Sequence, residues 1–279
     1  MKHINILIFI LLLTGCSNVE LELEPFYPWV VNGYIDYDGD VEIEVSMSIE
    51  NDVVVNTQNL FISNAHCKIL ENDSKKETEL QPIGNGKYKA NLTGIKDVSR
   101  FIVSLDHDEF GSALSDTIGF DSPNSIEDIK FVKTTTSVGN ITRPSIRVNG
   151  LLKSFQSDAV LFIHAENSSA LFQNTTYVDE QCENTGYFGY AIVSSDCFSR
   201  DEINFDINIR PGIVGGGIVR NTNFEIGIAS ADFLKYAQAF NQPEGFETGF
   251  LRPNFIYSNM KGSYGFIMAK KSEKYYLEF

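Results

Sequence analysis

The stretch VEIEVSMSIE, residues 41–50, alternates apolar and polar residues from end to end. Val, Ile or Met occupies every second position, and Glu or Ser fills each position between them. Because successive side chains of a β-strand point to opposite faces, this period of two predicts a strand with one buried and one solvated face. The stretch therefore assigns this part of the chain to a half-buried sheet.

Further segments of the same character flank this stretch, and turn-forming residues separate them. The seven strands predicted between residues 28 and 118 are residues 29–35, 41–50, 65–70, 77–81, 87–92, 101–105 and 110–118. Seven short strands within about ninety residues are typical of an immunoglobulin-like or prealbumin-like β-sandwich. We therefore predict such a sandwich over residues 28–120.

The polar segment GFDSPNSIE, residues 119–127, contains Gly and Pro and predicts a domain boundary after residue 120. The strands predicted in the second domain, residues 121–279, are residues 129–134, 145–152, 159–165, 203–209 and 223–228, with two more around residues 270–273. Both halves are thus expected to be β-rich, and we predict an all-β chain of two sandwiches.

One segment of the second half has helical periodicity instead. Phe233, Tyr236, Ala237 and Phe240 recur at the spacing of one helix face. Ser230 can cap the first turn, and a proline three residues past Phe240 prevents continuation. We expect one short α-helix near residues 230–241, lying against a β-sandwich.

The chain is strongly acidic. Asp and Glu number 37 against 22 Lys and Arg, and the formal net charge is −15. Such a surface repels the phosphate backbone, so we expect no nucleic-acid partner.

The N-terminus has the pattern of an export signal. Lys2 precedes a largely apolar run, residues 4–13, which is too short to span a bilayer because a spanning helix needs roughly 20 apolar residues. The run ends in Leu13-Thr14-Gly15-Cys16, which resembles the bacterial lipobox. The alternative interpretation is an unmodified cysteine after an ordinary signal peptide.

The lipobox resemblance implies that residues 1–15 are a signal peptide and that Cys16 becomes the lipidated N-terminus. Diacylglycerol and an amide-linked acyl chain such as palmitate would then hold the protein in a membrane, since two chains already give a stable anchor. Residue 17 is Ser, so nothing argues for retention at the inner membrane. We expect an outer-membrane location, on the periplasmic or cell-surface face, with residues 16–27 as an acidic tether. The alternative for the glutamates that follow Cys16 is a surface-export tag.

The three other cysteines have separate expected roles. Cys182 and Cys197 flank a segment with two glycines that can double back, and we predict a disulfide between them. A loop of this size would contribute about 3 kcal/mol in the chain-entropy model. Cys67 lies in an alternating segment and is expected to be a small buried hydrophobe.

Several polar segments have a chemical and a structural interpretation, and the structural one is favoured in each. Residues 36–40, DYDGD, resemble the start of a calcium loop, but Val41 and Met47 stand where an EF-hand needs Gly and Glu, so we predict a β-turn with weak calcium binding as the minor alternative. Residues 106–109, DHDE, are expected to form a solvated turn. Residues 212–217, GIVGGG, lack the Lys-Ser/Thr of a phosphate loop and predict a flexible hairpin.

No set of residues predicts catalysis. His164 is expected to be a partly buried strand residue, and adjacent His66 and Cys67 should face opposite sides of a strand. The G-x-S-x-G pattern of a hydrolase nucleophile is missing from the sequence. We therefore predict no catalytic residue, no metal ligand and no cofactor.

An ordered set of short motifs runs through nearly the whole chain. The motifs are WVVNGYI at residues 29–35, ISNAHCKI at 62–69, GNGKY at 84–88, ADFLK at 231–235, and PNFIYSNM at 253–260 followed by Gly262 and YGF at 264–266. Together with the lipobox, they resemble the Bacteroidota lipoproteins grouped as domain of unknown function 4249. The resemblance implies a TonB-dependent outer-membrane transporter as partner, and it implies no reaction.

These observations favour a non-catalytic accessory or binding protein that works beside a nutrient transporter. One alternative is direct binding of a glycan or peptide, for which Tyr187, Phe188 and Tyr190 are candidate contacts because aromatic rings stack on sugars. A second alternative is a hydrolase with a non-standard site.

Overall fold

The computed structural model describes residues 29–47, 60–96, 99–120, 125–138, 141–153, 159–173, 185–187, 190–194, 202–230, 232–241 and 257–279. These residues form twenty-one strands and one helix, which confirms the all-β prediction. The strands of the first half are β1 (Trp29–Asp36), β2 (Asp40–Met47), β3 (His66–Glu71), β4 (Lys76–Glu79), β5 (Gln81–Gly84), β6 (Lys87–Asn91), β7 (Arg100–His107), β8 (Gly111–Ser115) and β9 (Ile118–Gly119).

The second half adds longer strands and the helix. Its elements are β10 (Ser125–Val138), β11 (Ile141–Lys153), β12 (Ala159–Ala165), β13 (Ser168–Gln173), β14 (Thr185–Tyr187), β15 (Tyr190–Ser194), β16 (Glu202–Pro211), β17 (Ile213–Val214), β18 (Gly217–Ile218), β19 (Asn221–Ser230), α1 (Asp232–Asn241), β20 (Met260–Lys261) and β21 (Ile267–Glu278).

A nine-stranded sheet runs through both halves of the chain, in the order β14-β15-β12-β19-β21-β1-β2-β6-β5. Its neighbouring strands are antiparallel except for β1 and β21, which pair in parallel from Gly33↔Ile267 to Asp36↔Lys270. The first and the last strand of the described chain therefore lie side by side in the middle of the sheet.

The prediction of two strands around residues 270–273 is wrong. β21 is one continuous strand, Ile267–Glu278, because β19 pairs with it from Ala229↔Lys270 to Asn221↔Glu278. Paired backbone groups on both sides of Lys270 hold the chain extended where its charged residues suggested a turn.

One part of this sheet packs against a six-stranded sheet to form the first sandwich. That second sheet has the order β20-β8-β7-β3-β4, with β9 paired to β7. Two facing antiparallel sheets are the arrangement of immunoglobulin-like sandwiches. Its core contains the alternating residues of β1 and β2, among them Val41, Ile43 and Val45, together with the C-terminal residues Met260 and Ile267.

The other part packs against a four-stranded sheet of order β10-β11-β16-β13, which makes the second sandwich. Its core is lined by Val148, Leu161, Ile207 and Ile226, each buried. The predicted boundary at residue 120 stays a prediction, and residues 121–124 lie outside the described residues.

The helix α1 covers the outer side of the shared sheet. Phe233, Tyr236 and Ala237 are buried against Phe162 and Phe266, so the helical periodicity of the sequence identified the packed face correctly. The helix has ten residues, and within the described ranges no helix has the length and apolarity needed to cross a bilayer.

Residues near the C-terminus fasten the chain to β1 through side-chain hydrogen bonds. Trp29 donates its Nε1–H to the carbonyl of Gly262 at 2.8 Å. The Asn259 amide accepts from the backbone N–H of Ile267 at 3.0 Å and donates to its carbonyl at 2.7 Å. Asn32 Oδ1 accepts from the backbone N–H of Phe266 at 3.1 Å. Several residues of the short sequence motifs thus hold β1 against residues 259–267.

Candidate functional site

A buried charged cluster of Asp36, Glu225, Lys270 and Ser272 lies on the helix-bearing side of the shared sheet. Lys270 and Asp36 are each 2% exposed, and Glu225 is 9% exposed. The Lys270 ammonium donates a hydrogen bond to Glu225 Oε1 and lies 3.9 Å from Asp36 Oδ2. Ionised groups are rarely buried without compensation, so this cluster is the most unusual polar feature of the described residues.

Strand register explains why distant residues meet here. Lys270 pairs with Asp36 of β1 on one side and with Ala229 of β19 on the other. β21 therefore places the cation between β1, which carries Asp36, and β19, which carries Glu225. Side chains two residues apart share a face, which brings Ser272 next to Lys270. The cluster therefore exists only when β1, β19 and β21 are assembled.

The Ser272 hydroxyl is shared between the two carboxylates. Its Oγ lies 2.7 Å from Asp36 Oδ2 and 2.7 Å from Glu225 Oε1. A hydroxyl has one proton to donate, so at any moment it serves only one of these two acceptors. Glu225 also receives the Lys270 bond, and Asp36 is the less well compensated carboxylate.

The pKa shifts of the two carboxylates agree with this difference in compensation. Burial would raise the pKa of Glu225, but the Lys270 ammonium and the hydrogen bonds from Lys270 and Ser272 outweigh burial and lower it. Burial raises the pKa of Asp36, and Ser272 and Lys270 offset that rise only in part. The two acids thus contribute in opposite senses to the pH dependence of folding.

Aromatic rings enclose the cation. The Lys270 Nζ lies 4.0 Å from the ring centroid of Tyr34 and 5.9 Å from that of Phe162. A cation over a ring face is attracted by the ring quadrupole, more strongly when it is desolvated. Gly227 makes room for Phe162, since a Cβ there would lie 2.5 Å from the Phe162 Cζ.

His164 and Tyr190 border the charged cluster. His164 pairs with Glu225 across β12 and β19, and its ring stacks on Tyr190 at a centroid distance of 4.6 Å. Burial lowers the pKa of His164, although Glu225 and Glu166 oppose that effect, and burial raises the pKa of Tyr190 to about 12. The prediction that His164 is a partly buried strand residue is confirmed.

The cluster links three strands through ion pairs and hydrogen bonds. Each of its charged groups contacts a partner of the opposite sign, and Ser272 links the two acids. It joins strands from the two ends of the described chain, at the place where the two sandwiches share one sheet.

The sequence patterns did not identify this cluster. Asp36 and Lys270 were both assigned to turns, and Glu225 was placed only within a strand predicted over residues 223–228. One feature of the sequence could have indicated a buried charge. Glu225 stands between the apolar residues Phe224 and Ile226, in a strand that is buried over most of its length.

The turn predicted at residues 36–40 is confirmed, and its carboxylates diverge. Asp36 reaches Lys270, Asp38 accepts from the backbone N–H of Asp40 at 2.9 Å, and Asp40 accepts from the Tyr34 hydroxyl at 2.9 Å. Gly39 has a φ of 99°, which side-chain-bearing residues rarely adopt. Among the described residues, no group of three or more His, Cys, Asp and Glu is placed to hold a metal ion.

The prediction of a solvated turn at residues 106–109 is wrong for His107. This ring is buried, its Nε2 lies 3.0 Å from Asn64 Oδ1, and its Nδ1 accepts from the backbone N–H of Glu109 at 3.1 Å. Phe110 stacks on it at 4.6 Å. His107 faces inward because β7 extends through it, which keeps the alternation of Val103 and Leu105.

Cys67 is buried as predicted, and its neighbour His66 is exposed on the opposite side of β3. Burial raises the pKa of the Cys67 thiol to about 12, which leaves it protonated and unreactive at neutral pH. Residues 212–217 form part of a hairpin, β17–β18, as predicted.

The remaining predicted residues lie largely outside the described residues. These are Cys16, Cys182, Cys197, Phe188 and the side chain of Tyr187, so the lipidation, the disulfide and the ligand contacts stay predictions. Tyr190 is described, and its ring packs edge-on against Phe233 at 5.6 Å as well as on His164. Much of its ring surface is therefore occupied by core contacts.

No family model matches the chain, and no curated protein shows significant similarity to it. Nineteen chains of solved structures match significantly. They include the FN1–FN3 domains of chicken CNTN1 (11% identity, 74% of this chain and 61% of that chain, TM-score 0.25) and the BSP domain of a biofilm-associated protein (7% identity, 89% and 59%, TM-score 0.23). The chain spans about three-fifths of each of these structures. With TM-scores this low the fold description rests on the strand pairing alone.

Proposed function

We propose that this chain is a lipid-anchored, non-catalytic binding or accessory protein of a bacterial outer membrane, akin to the lipoproteins of domain of unknown function 4249. The observation that carries the proposal is the sequence Leu13-Thr14-Gly15-Cys16 at the end of a short apolar run. A lipid-modified cysteine at this place would leave the acidic residues 17–27 as a tether between the membrane and the two β-sandwiches.

The architecture offers surfaces on which a partner protein could bind. The shared sheet ends in β14 on one side and β5 on the other, and the four-stranded sheet ends in β10 and β13. Sheet edges and hairpins are surfaces on which partner strands or loops dock. We propose that a TonB-dependent transporter is the partner at such a surface.

Two buried groups of the described residues that could in principle act as nucleophiles are not placed to do so. The Lys270 ammonium is engaged by Glu225, and the Cys67 thiol is buried with a raised pKa, so neither is presented as a nucleophile. Catalytic lysines and thiols need a lowered pKa and access to substrate.

The test is a cross-linking pull-down from outer membranes with the tagged chain and its Cys16→Ala variant. The proposal predicts that the parent recovers a β-barrel transporter and that the variant recovers much less, because it is not held at the membrane. Recovery of no barrel by the parent under mild detergent, or equal recovery by both proteins, would contradict the proposed partnership.

A further inference from the structure

An apolar hairpin projects from the second sandwich between β16 and β19. It consists of residues 213–218, IVGGGI, with β17 and β18 as its arms. Ile213, Val214 and Ile218 are 57%, 59% and 51% exposed. Three large aliphatic side chains in open solvent within six residues form a concentrated apolar surface, whereas exposed apolar residues on soluble domains are usually scattered singly.

The hairpin stands clear of the protein body. A Cβ added at Gly215 or Gly216 would meet no atom of the described chain within 4 Å, and one at Gly217 would meet only the carbonyl of Val214 at 3.8 Å. The base is fixed, because Gly212 donates its N–H to the carbonyl of Asn167 at 3.1 Å and Val219 donates to Gly212 at 3.0 Å. The tip is thus held outward on a defined base and lacks core contacts of its own.

The charge around the hairpin differs from that of the whole chain. No acidic residue occurs in the sequence between Asp206 and Glu225, while Arg210 and Arg220 flank the tip. Residues 129–157, which hold the β10–β11 hairpin, also contain Lys and Arg but no Asp or Glu, and Arg143 lies at the same end because β11 extends past its Ile146↔Ile209 pair. In a chain of net charge −15, this end combines an apolar tip with arginines.

Two acidic side chains reach the same end of the sheet. Glu278 pairs with Asn221, and Glu166 accepts a hydrogen bond from the Asn223 amide at 2.6 Å. Both belong to the turn and strands beside the hairpin, and neither lies in its arms. The Nε of Arg210 is buried without a hydrogen-bond partner among the described residues.

We infer that the apolar hairpin inserts into the surface of an anionic lipid bilayer. Ile213, Val214 and Ile218 would enter the boundary between headgroups and acyl chains, and Arg220, which is exposed, would meet the phosphates. An apolar face beside basic residues is the pattern by which interfacial segments bind anionic membranes. A flexible glycine turn lets the tip adapt without disturbing β16 or β19.

The hairpin and Trp29, the first described residue, lie at opposite ends of the strands. β1 begins at Trp29, and its parallel partner β21 ends beside the hairpin, roughly 50 Å further along at 3.3 Å per residue. Residues 17–28 can span at most about 40 Å. If Cys16 is anchored, the strands must be tilted away from the bilayer normal for the lipid anchor and the hairpin to reach the same bilayer. Hairpin insertion itself does not depend on the anchor.

The test places a fluorescent probe at the tip. Trp29 is the single tryptophan and is fully buried, so a Val214→Trp substitution adds an exposed reporter to a constant background. An Ile83→Trp variant is the matched control, because Ile83 is 54% exposed on β5 of the first sandwich. Both are made in the full chain with Cys16→Ser, which cannot be acylated.

Addition of phosphatidylglycerol vesicles should blue-shift the emission of the Val214→Trp variant, and brominated acyl chains should quench it. Phosphatidylcholine vesicles should have a much smaller effect, and the Ile83→Trp control should respond to neither. Ile213→Ser with Ile218→Ser, or Arg220→Gln, should weaken vesicle binding by about tenfold or less per change. Far-ultraviolet circular dichroism checks that each variant folds.

An unchanged emission of the Val214→Trp variant with anionic vesicles would overturn the inference. An equal response of both reporters would also overturn it, because adsorption would then be unspecific. A response to solubilised outer-membrane protein but not to lipid would assign the hairpin to a protein partner instead. Since the test protein carries no acyl chain, none of these outcomes depends on whether Cys16 is lipidated.

Discussion

The Lys270 ammonium lies 3.9 Å from the Asp36 carboxylate, although 233 residues separate the two in the sequence. This contact joins β1 and β21, the parallel pair in the middle of the shared sheet. The last strand therefore does more than complete the second sandwich. It closes the first sandwich as well, and the charged cluster marks the junction.

Replacing the cation should destabilise the protein strongly. Lys270→Met leaves Glu225 and Asp36 buried without their counter-ion, and losing one partner of a buried ion pair typically costs about 3–5 kcal/mol. Urea unfolding followed by intrinsic fluorescence measures the change. Lys68→Met is the control, because Lys68 is exposed on β3, and we expect it to change stability by about 0.5 kcal/mol or less. Equal midpoints for the two variants would show that the cluster contributes nothing.

The two acids of the cluster should respond differently to neutralisation. Glu225 has a lowered pKa in the folded protein, so its contribution is present above its unfolded pKa of about 4.3 and is lost as pH falls through the lower folded value. Glu225→Gln should therefore reduce stability at neutral pH and flatten the acid limb of the stability curve.

Asp36 has a raised pKa in the folded protein, so burial makes its charged form unfavourable there. Substitution by a neutral residue removes that penalty. Asp36→Asn should cost less at pH 7 than Glu225→Gln. The measurement is the free energy of unfolding of both variants from pH 3 to pH 7. A larger loss for Asp36→Asn would mean that Lys270 is compensated chiefly by Asp36.

His164 should make the protein less stable as pH falls below the ordinary pKa of His. Because burial lowers its pKa, the unfolded state binds a proton more readily, and the free energy of unfolding decreases below about pH 6.5. His164→Gln should reduce this slope between pH 5 and pH 7. His66→Gln, at an exposed position on β3, is the matched control for the loss of one imidazole. The same slope in all three proteins would contradict the assignment.

The Cys67 thiol should be inert until the protein unfolds. It is 1% exposed, and burial raises its pKa to about 12, so iodoacetamide should not modify it in the native protein at pH 8. Peptide mapping by mass spectrometry distinguishes it from the other cysteines. Modification of Cys67 before denaturant is added would contradict the burial.

Short-range patterns predicted most of the fold. Alternation at Val41, Ile43 and Val45 placed β2 and its buried face, and helical spacing at Phe233 and Tyr236 placed α1. These patterns work because strand and helix geometry decide locally which side chains share a face.

Long-range pairing could not be predicted in this way. Nothing near Lys270 indicates that β1 will lie beside it, and charged residues in a row resemble a turn until a partner strand is known. The same holds for His107, whose burial depends on Asn64 and Phe110 closing around it. The candidate site was missed because tertiary pairing assembles every part of it.

The most direct test of the proposed function is the mass of the mature N-terminal peptide after expression in a bacterium with the lipoprotein pathway. We predict a peptide that begins at Cys16 and carries diacylglycerol and an acyl chain, and a Cys16→Ala protein that lacks both. A mature chain that starts elsewhere, or a Cys16 that carries no lipid, would contradict the account.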